Sequence, residues 1–331
     1  MTISRIETAF SDGLLDLPTG GRILVMRCSP EFAHLLPADR VDVVHGFAPA
    51  YAAWERTGAN MLGDPSTGYA MAIVTCPRAK DFARHLVAQG LHALSPGGVM
   101  VVDGQKTDGI EPLLKALKSQ ISNIEVLSKS HGKLLVFVRP ETLPAVITNW
   151  QNAAPKSPDA WVTALGMFSA EAVDIGSVLL SENLPNLKGC VCDLGAGWGY
   201  LSRAILDHAK VQRLDLVEAE RAALEAAKHN IKDPRAAFHW ADAQTFGAKK
   251  SYDFVVTNPP FHTGRAADPS LGQMFLTRAK YLLKPNGTLA LVANRHLPYE
   301  RTLTDGFAKV ETIALTNGFK VIHATRPRQS H

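Results

Sequence analysis

Apolar and polar positions follow two rhythms through the second half of the chain. Short apolar, strand-like runs recur at 190–193, 213–217, 235–240, 253–257 and 287–293. Between them lie YLSRAILDHAK (200–210) and AERAALEAAKHNI (219–231), with apolar residues spaced three and four apart. The first rhythm predicts strands and the second helices. Strand and helix in alternation build a parallel sheet covered by helices on both faces. The last stretch, VETIALTNGFKVIHAT (310–325), breaks the alternation: two strand-like runs meet at Asn317-Gly318, a hairpin signal. A parallel sheet finished by an antiparallel hairpin is therefore expected.

The first half carries an echo of the second. LSPGGVMVVDGQK (94–106) matches LKPNGTLALVANR (283–295) at an offset of 189 residues. GKLLVFVRP (132–140) matches GFKVIHATRP (318–327), with the terminal prolines 187 apart. AIVTCP (72–77) matches FVVTNP (254–259) at an offset of 182. Three matches in one order at nearly constant spacing indicate a duplicated unit. LPAVITNWQNAAPKSPDAW (143–161), with three prolines and many polar residues, reads as the connection. The expected division is 1–142, a linker over 143–160, and 161–331.

Composition narrows the class. A chain of 331 residues with 46% hydrophobic and 20% charged residues describes a globular protein with room for two cores. Four cysteines in this length make no disulfide framework, and Cys190 and Cys192 alternate in an apolar run as same-face strand residues. Glu7, Asp12 and Asp16 interrupt what would have to be an apolar signal segment, and no apolar run reaches the roughly 18 residues of a spanning helix. A cytoplasmic protein with no membrane partner is expected. Residues 1–150 hold as many acids as bases, so the net charge of +4 falls in the second half. That bias permits a polyanionic partner without requiring one.

Candidate chemistry sits at the ends of successive predicted strands, where open parallel sheets bind ligands. CVCDLGAGWG places Gly195, Gly197 and Gly199 in a strand-to-helix turn, where missing Cβ atoms let backbone approach a ligand. Alone, this loop is a weak signal that a tight turn without ligand would also give, and its spacing differs from the G-x-G-x-x-G that grips a diphosphate. Asp193, two residues ahead, suits a cationic ligand better. LDLVEAE then brings Glu218 about 20 residues beyond the loop, placed to accept both hydroxyls of a ribose. Asp242 in FHWADAQ could take an adenine amino group or cap a helix. TNPPFH (257–262) closes the series with an amide, two prolines and an aromatic ring.

These ordered motifs, DLGAGWG, the acid of DLVE, the aspartate of WADA, and NPPF, resemble those of class I S-adenosylmethionine-dependent methyltransferases. The resemblance is close over about 155–331. Its finer match is to ribosomal RNA guanine-N2 methyltransferases of the RsmC and RlmG type, through NPPFHTG, VDIGSVLL (173–180) and a degenerate first domain. It implies an α/β fold of two tandem Rossmann-like methyltransferase domains, each a mostly parallel seven-stranded sheet with a terminal antiparallel hairpin. It implies S-adenosyl-L-methionine as cofactor, held by Asp193, Gly195, Ala196, Gly197 and Gly199, by Glu218 and Ala219, by Asp242 and Ala243, and by Asn258. No metal is implied. The implied substrate is ribosomal RNA, with the small-subunit (16S) enzymes ahead of their large-subunit relatives, as RNA in the subunit or an assembly intermediate. An internal duplication fits a monomer.

The resemblance assigns catalysis to Asn258, Pro259, Pro260 and Phe261. Guanine N2 is a poor nucleophile because its lone pair is delocalised into the ring. Acceptors held off the ring plane, the Asn258 side-chain oxygen and the Pro259 carbonyl, would draw its hydrogens out and free the pair. Proline fixes its own φ and confines the preceding residue to extended backbone, so the doublet stiffens both acceptors. Phe261 would stack on an extruded base. His262, Arg265 and Arg295 are tentative substrate contacts, with Asn294 and Tyr299 on the same expected rim. NPPF also fits adenine-N6 or protein glutamine-N5 transfer, and a non-catalytic nucleotide- or RNA-binding module is the alternative of another class. In the first half Cys76 falls where Asn258 stands, and RILVMRCSPEFAHL (22–35) offers no glycine loop, so a domain without cofactor is expected there.

Overall fold

The computed structural model describes residues 4–155, 157–158, 160–260 and 269–328. It divides into two compact units, Met1–Ala154 and Pro155–His331.

In the first unit seven strands, β1 Ile23–Met26, β2 Val41–Val44, β3 Asn60–Leu62, β4 Tyr69–Thr75, β5 Leu94–Gln105, β6 Glu125–Lys129 and β7 Gly132–Val138, line up as β3-β2-β1-β4-β5-β7-β6. Its helices are α1 Arg5–Ser11, α2 Ala48–Glu55, α3 Lys80–Ala93, α4 Ile110–Lys118 and α5 Ala145–Gln151. The second unit repeats the order as β10-β9-β8-β11-β12-β14-β13. Its strands are β8 Gly189–Leu194, β9 Val211–Glu218, β10 Ala236–Trp240, β11 Tyr252–Thr257, β12 Leu283–Asn294, β13 Phe307–Leu315 and β14 Phe319–Pro327. Helices α6 Ile175–Glu182, α7 Tyr200–Leu206, α8 Arg221–Asn230, α9 Pro269–Leu282 and α10 Glu300–Gly306 complete it. In each unit the five strands at one side pair in parallel and the last two antiparallel. This is the tandem Rossmann-like architecture that the sequence implies.

The duplication reaches into register. Pairing between β11 and β12 jumps from Tyr252↔Leu283 to Phe254↔Thr288. Pairing between β4 and β5 makes the same jump, from Tyr69↔Leu94 to Met71↔Val99. The Pro-Asn-Gly segment therefore bulges within a longer strand instead of preceding it, a correction to the expected start at 287. Pro285 has no N–H to give a ladder, which fits a bulge.

Central strands are buried on both faces, as parallel sheets require. Along β8, Val191 joins the cluster with Leu180, Leu201 and Ile205, while Cys192 joins the opposite cluster with Phe275 and Leu291. Cys190 packs on the Cys192 side, so the two thiols share a face.

The expected linker over 143–160 needs revision. Its first part is α5, whose Ile147 and Trp150 are buried in the first unit's core beside residues of α3. The division falls between Ala154 and Pro155. Proline and polar content concealed a short amphipathic helix.

Candidate functional site

Three strand ends of the second unit converge on one cleft of about 180 Å³, lined by residues 166–169, Asp174, Ser177, the loop 195–198, Glu218, Glu220 and Asn258 among others. β8 lies between β9 and β11, so their carboxyl ends are neighbours.

The loop after β8 depends on its glycines for two different reasons. Gly195, Gly197 and Gly199 all have positive φ, at 80°, 56° and 95°. A Cβ at Gly195 would stand 3.1 Å from the Phe275 ring, and one at Gly199 would stand 3.2 Å from Ile231. Those two let the loop pack on its neighbours. A Cβ at Gly197 would meet nothing within 4 Å, so its open side faces the cleft. Ala196 also lines the cleft.

Glu218, the last residue of β9, is fixed by the backbone. Its Oε2 accepts from the Gly197 N–H at 2.8 Å, and its Oε1 accepts from the Glu220 N–H at 2.8 Å. Burial raises its pKa, and the hydrogen bonds from Glu220 and Gly197 counter part of that rise. Two anchored oxygens with lone pairs left over can receive two hydroxyls without further ordering.

Asp193 stands differently from its expected place. It lies fully buried beneath the loop and is absent from the cleft wall. Its Oδ2 accepts from Ser202 Oγ at 2.6 Å, while no hydrogen bond reaches Oδ1. Burial above all, with Glu218 nearby, pushes its carboxyl up to about 7; the Ser202 bond opposes the shift. A buried carboxylate with an unpartnered oxygen is what a cationic ligand above it would relieve.

Asp242 and Ala243 do not line the cleft, nor does Ala219. Asp242 closes the turn after β10: its Oδ1 accepts from Gln244 N–H at 2.8 Å, and its carbonyl accepts from Thr245 and Phe246. Ala219 offers its carbonyl to Trp240 Nε1 at 2.8 Å. Arg295 is exposed beyond β12, where its N–H donates to the Gly318 carbonyl. Tyr299 is no rim residue, contrary to expectation. It is fully buried in the core and packs against Gly272 of α9.

Asn258 follows β11 directly. Thr257 holds the strand end by donating its Oγ1 hydrogen to the Leu194 carbonyl at 2.6 Å. Asn258 Nδ2 stands 2.9 Å from Asp174 Oδ2 and 2.9 Å from Ser177 Oγ. Among the described residues no donor reaches its Oδ1. Pro259 and Pro260 continue the chain; Phe261, His262 and Arg265 lie outside the described residues.

Two groups of cleft residues were not singled out from sequence. Asp174 and Ser177 lie in VDIGSVLL, whose D-x-x-S spacing is a helix N-cap signal, but nothing local tells which strand end they meet. Residues 161–170 form a strap over the loop. Trp198 Nε1 donates to the Phe168 carbonyl at 3.2 Å, and Asn230 bonds both the N–H and the carbonyl of Val162 and also the Trp198 carbonyl. Trp161, Trp198 and Tyr200 pack their rings within 5.8 Å of one another.

The first unit's equivalent strand ends carry other residues. β4 pairs Val74 with Met26 where β11 pairs Val256 with Asp193, so apolar Met26 replaces the carboxylate. β2 pairs Val44 with Met26 where β9 pairs Leu216 with Asp193, which puts Gly46 in the place of Glu218. Buried Cys76 follows β4 as Asn258 follows β11.

Among the described residues no cluster of metal-ligating side chains occurs, and no helix is long and apolar enough to cross a membrane.

Comparison with known proteins places this geometry in context. The model of the methyltransferase small domain family matches residues 160–323. A ribosomal RNA small subunit methyltransferase C of Shewanella baltica is 30% identical over 265 residues, covering 77% of this chain and 76% of that protein. The enzyme of the same name from Shewanella pealeana is 29% identical over 256 residues, 75% of each chain. The solved structure of the T. thermophilus 16S rRNA N2 G1207 methyltransferase, in complex with AdoMet and guanosine, aligns over 94% of this chain and 90% of its own. Its TM-score is 0.78 at 21% identity, a likeness of fold.

Proposed function

Because the chain belongs to the ribosomal RNA small subunit methyltransferase C family, we propose that its second unit methylates the exocyclic N2 of a guanine in 16S ribosomal RNA. The observation that carries this reading is Asn258, set at the end of β11 on the same cleft as Gly197 and Glu218. A module that only bound nucleotide would have no use for an amide fixed at that point.

The residues present fit S-adenosylmethionine. Glu218 offers anchored carboxylate oxygens for the ribose hydroxyls, Gly197 leaves open space, and Asp193 puts an unsatisfied carboxylate beneath the loop. Asp242 closes its turn with Oδ1, which leaves Oδ2 to take the adenine amino group, with Ala243 beside it. When bound, this cofactor supplies an electrophilic methyl group on a sulfonium that leaves as a neutral thioether.

Asn258 and Pro259 do the chain's part of the chemistry. Asn258 Oδ1 and the Pro259 carbonyl accept the two N–H hydrogens of guanine N2 and draw them off the ring plane. The nitrogen lone pair, withdrawn from the ring, is then available to attack carbon. The amine loses its extra proton after transfer, so no strong base is needed. Phe261 stacks on the extruded base, and His262, Arg265 and Arg295 contact RNA. The protein acts as a monomer in the cytoplasm, on the small subunit or its assembly intermediate.

The first unit, with Met26, Gly46 and Cys76 at the three ligand positions, binds no cofactor. Bound S-adenosylmethionine in that unit, found by titration or crystallography, would contradict this.

The test is transfer of tritiated methyl from S-adenosylmethionine to small-subunit RNA from cells lacking the activity, followed by nucleoside analysis. N2-methylguanosine is expected. Label in N6-methyladenosine, in large-subunit RNA alone, or in protein would overturn the assignment.

A further inference from the structure

A primary amide has nearly the same shape when its oxygen and nitrogen trade places. For Asn258 the two orientations have opposite chemical consequences. With Oδ1 towards an arylamine the side chain accepts a hydrogen; with Nδ2 there, it presents a donor to a donor. Something must break the tie.

We propose that Asp174 is the positioning residue that fixes the orientation of the Asn258 amide, with Ser177 as its auxiliary. This rests on the methyl-transfer reading above. Asp174 Oδ2 lies 2.9 Å from Asn258 Nδ2, and a carboxylate oxygen only accepts. Turning the amide over would set oxygen against oxygen at that distance. Ser177 Oγ, also 2.9 Å from Nδ2, can donate or accept and so does not decide the orientation. It receives the second N–H once Asp174 has set the first.

Asp174 is itself immobilised. It is the N-cap of α6, with φ −67° and ψ 129°, and the same Oδ2 accepts from the Ser177 N–H at 2.7 Å. Gly176 leaves the space this arrangement needs, since a Cβ there would stand 3.0 Å from Asp174 Oδ2 and 3.0 Å from the Phe319 ring. The stretch D-x-G-S therefore supplies a cap, a clearance and a second acceptor in four residues.

An unbiased flip alone would cost about twofold in rate, because half the molecules would still present oxygen. The larger loss comes from an amide no longer held in place, where about 1 Å of misplacement costs on the order of 10²-fold. The informative variant is Asp174→Ser, since serine also caps helices but is too short to hold the amide. Single-turnover methylation of small-subunit RNA should fall by roughly 10- to 100-fold, with the S-adenosylmethionine dissociation constant within about threefold. Asn258→Asp should be inactive, because it sets two carboxylates together.

A second readout does not depend on turnover. In protein labelled with 15N-asparagine, the Asn258 side-chain NH2 pair, identified by its loss in Asn258→Ala, should exchange slowly with solvent. Asp174→Ser should abolish that protection. Unchanged protection or wild-type rate in Asp174→Ser overturns the proposal. So does a defect confined to cofactor affinity. If the wild-type protein methylates no RNA while the protection behaves as stated, the methyl-transfer reading fails and the orienting contact stands.

Discussion

The backbone N–H of Gly197 donates to Glu218 Oε2 across 2.8 Å and 21 residues of chain, tying the glycine loop to the end of β9. The partner oxygen, Oε1, holds the Glu220 N–H. Both oxygens of this carboxylate therefore face donors. Replacing Glu218 by glutamine is consequently far from conservative, because one backbone N–H would meet an NH2 group. Glu218→Gln should weaken S-adenosylmethionine binding about 10- to 100-fold, as much as Glu218→Ala. Calorimetric titration of both variants checks this; a glutamine variant near wild type would mean that the carboxylate does not hold the ribose.

Asp193 makes the unliganded protein sensitive to pH. Its carboxyl, near 3.8 when exposed, is raised to about 7 in the fold by burial. Between those values the folded protein binds more protons than the unfolded chain, so stability falls as pH rises from about 4 to 7. Asp193→Asn should therefore raise the melting temperature more at pH 8 than at pH 5. The same substitution should weaken cofactor binding, and wild-type affinity should climb between pH 5.5 and 7.5 with proton release. Melting curves and titrations in buffers of different ionisation heat test both halves.

The strap over the loop depends on Asn230, which makes three hydrogen bonds, two to Val162 and one to Trp198. Asn230→Ala should weaken cofactor binding by about 3- to 10-fold. The single-turnover rate at saturating cofactor should stay unchanged, since Asn230 bonds only Val162 and Trp198 and lies outside the cleft wall. A lower saturated rate with normal affinity would assign the strap to RNA instead.

Much of this arrangement was legible in the sequence because it is local. Strand, glycine turn and helix follow one another within CVCDLGAGWGYLSRAIL, and periodicity places each. The duplicated sheet was legible because both copies keep the same turn chemistry, down to the bulge at 285–287. What stayed hidden depends on contacts far apart in the chain. Asp174 and Asn258 are 84 residues apart, and only the fold brings α6 to the end of β11. Tyr299 was misplaced for a related reason. A tyrosine beside charged residues after a strand looks like rim, but the glycine at 272 opens a slot that only packing reveals. Asp242 reads from sequence as a helix cap or an adenine ligand; no helix follows it, and its Oδ1 closes a turn through the Gln244 N–H instead.

That slot gives a prediction about stability. A Cβ at Gly272 would lie 1.7 Å from Tyr299 Oη and 2.4 Å from Cζ. Alanine's helix propensity favours the substitution by up to about 1 kcal/mol. Overpacking a filled core costs about 1–3 kcal/mol, and a clash this close belongs at the upper end. Gly272→Ala should lower the melting temperature by roughly 4–8 °C for a net loss of about 2 kcal/mol. Differential scanning calorimetry decides it; a higher melting temperature would show that Tyr299 moves aside freely.

The central claim is that the Asn258 amide acts chiefly on the reacting amine. It is tested most directly by single-turnover methylation of small-subunit RNA with Asn258→Ala, alongside S-adenosylmethionine titration of the same preparation. The account predicts a rate at least about 10²-fold below wild type and a dissociation constant within about threefold. Transfer at near the wild-type rate by a variant that binds cofactor normally would contradict it.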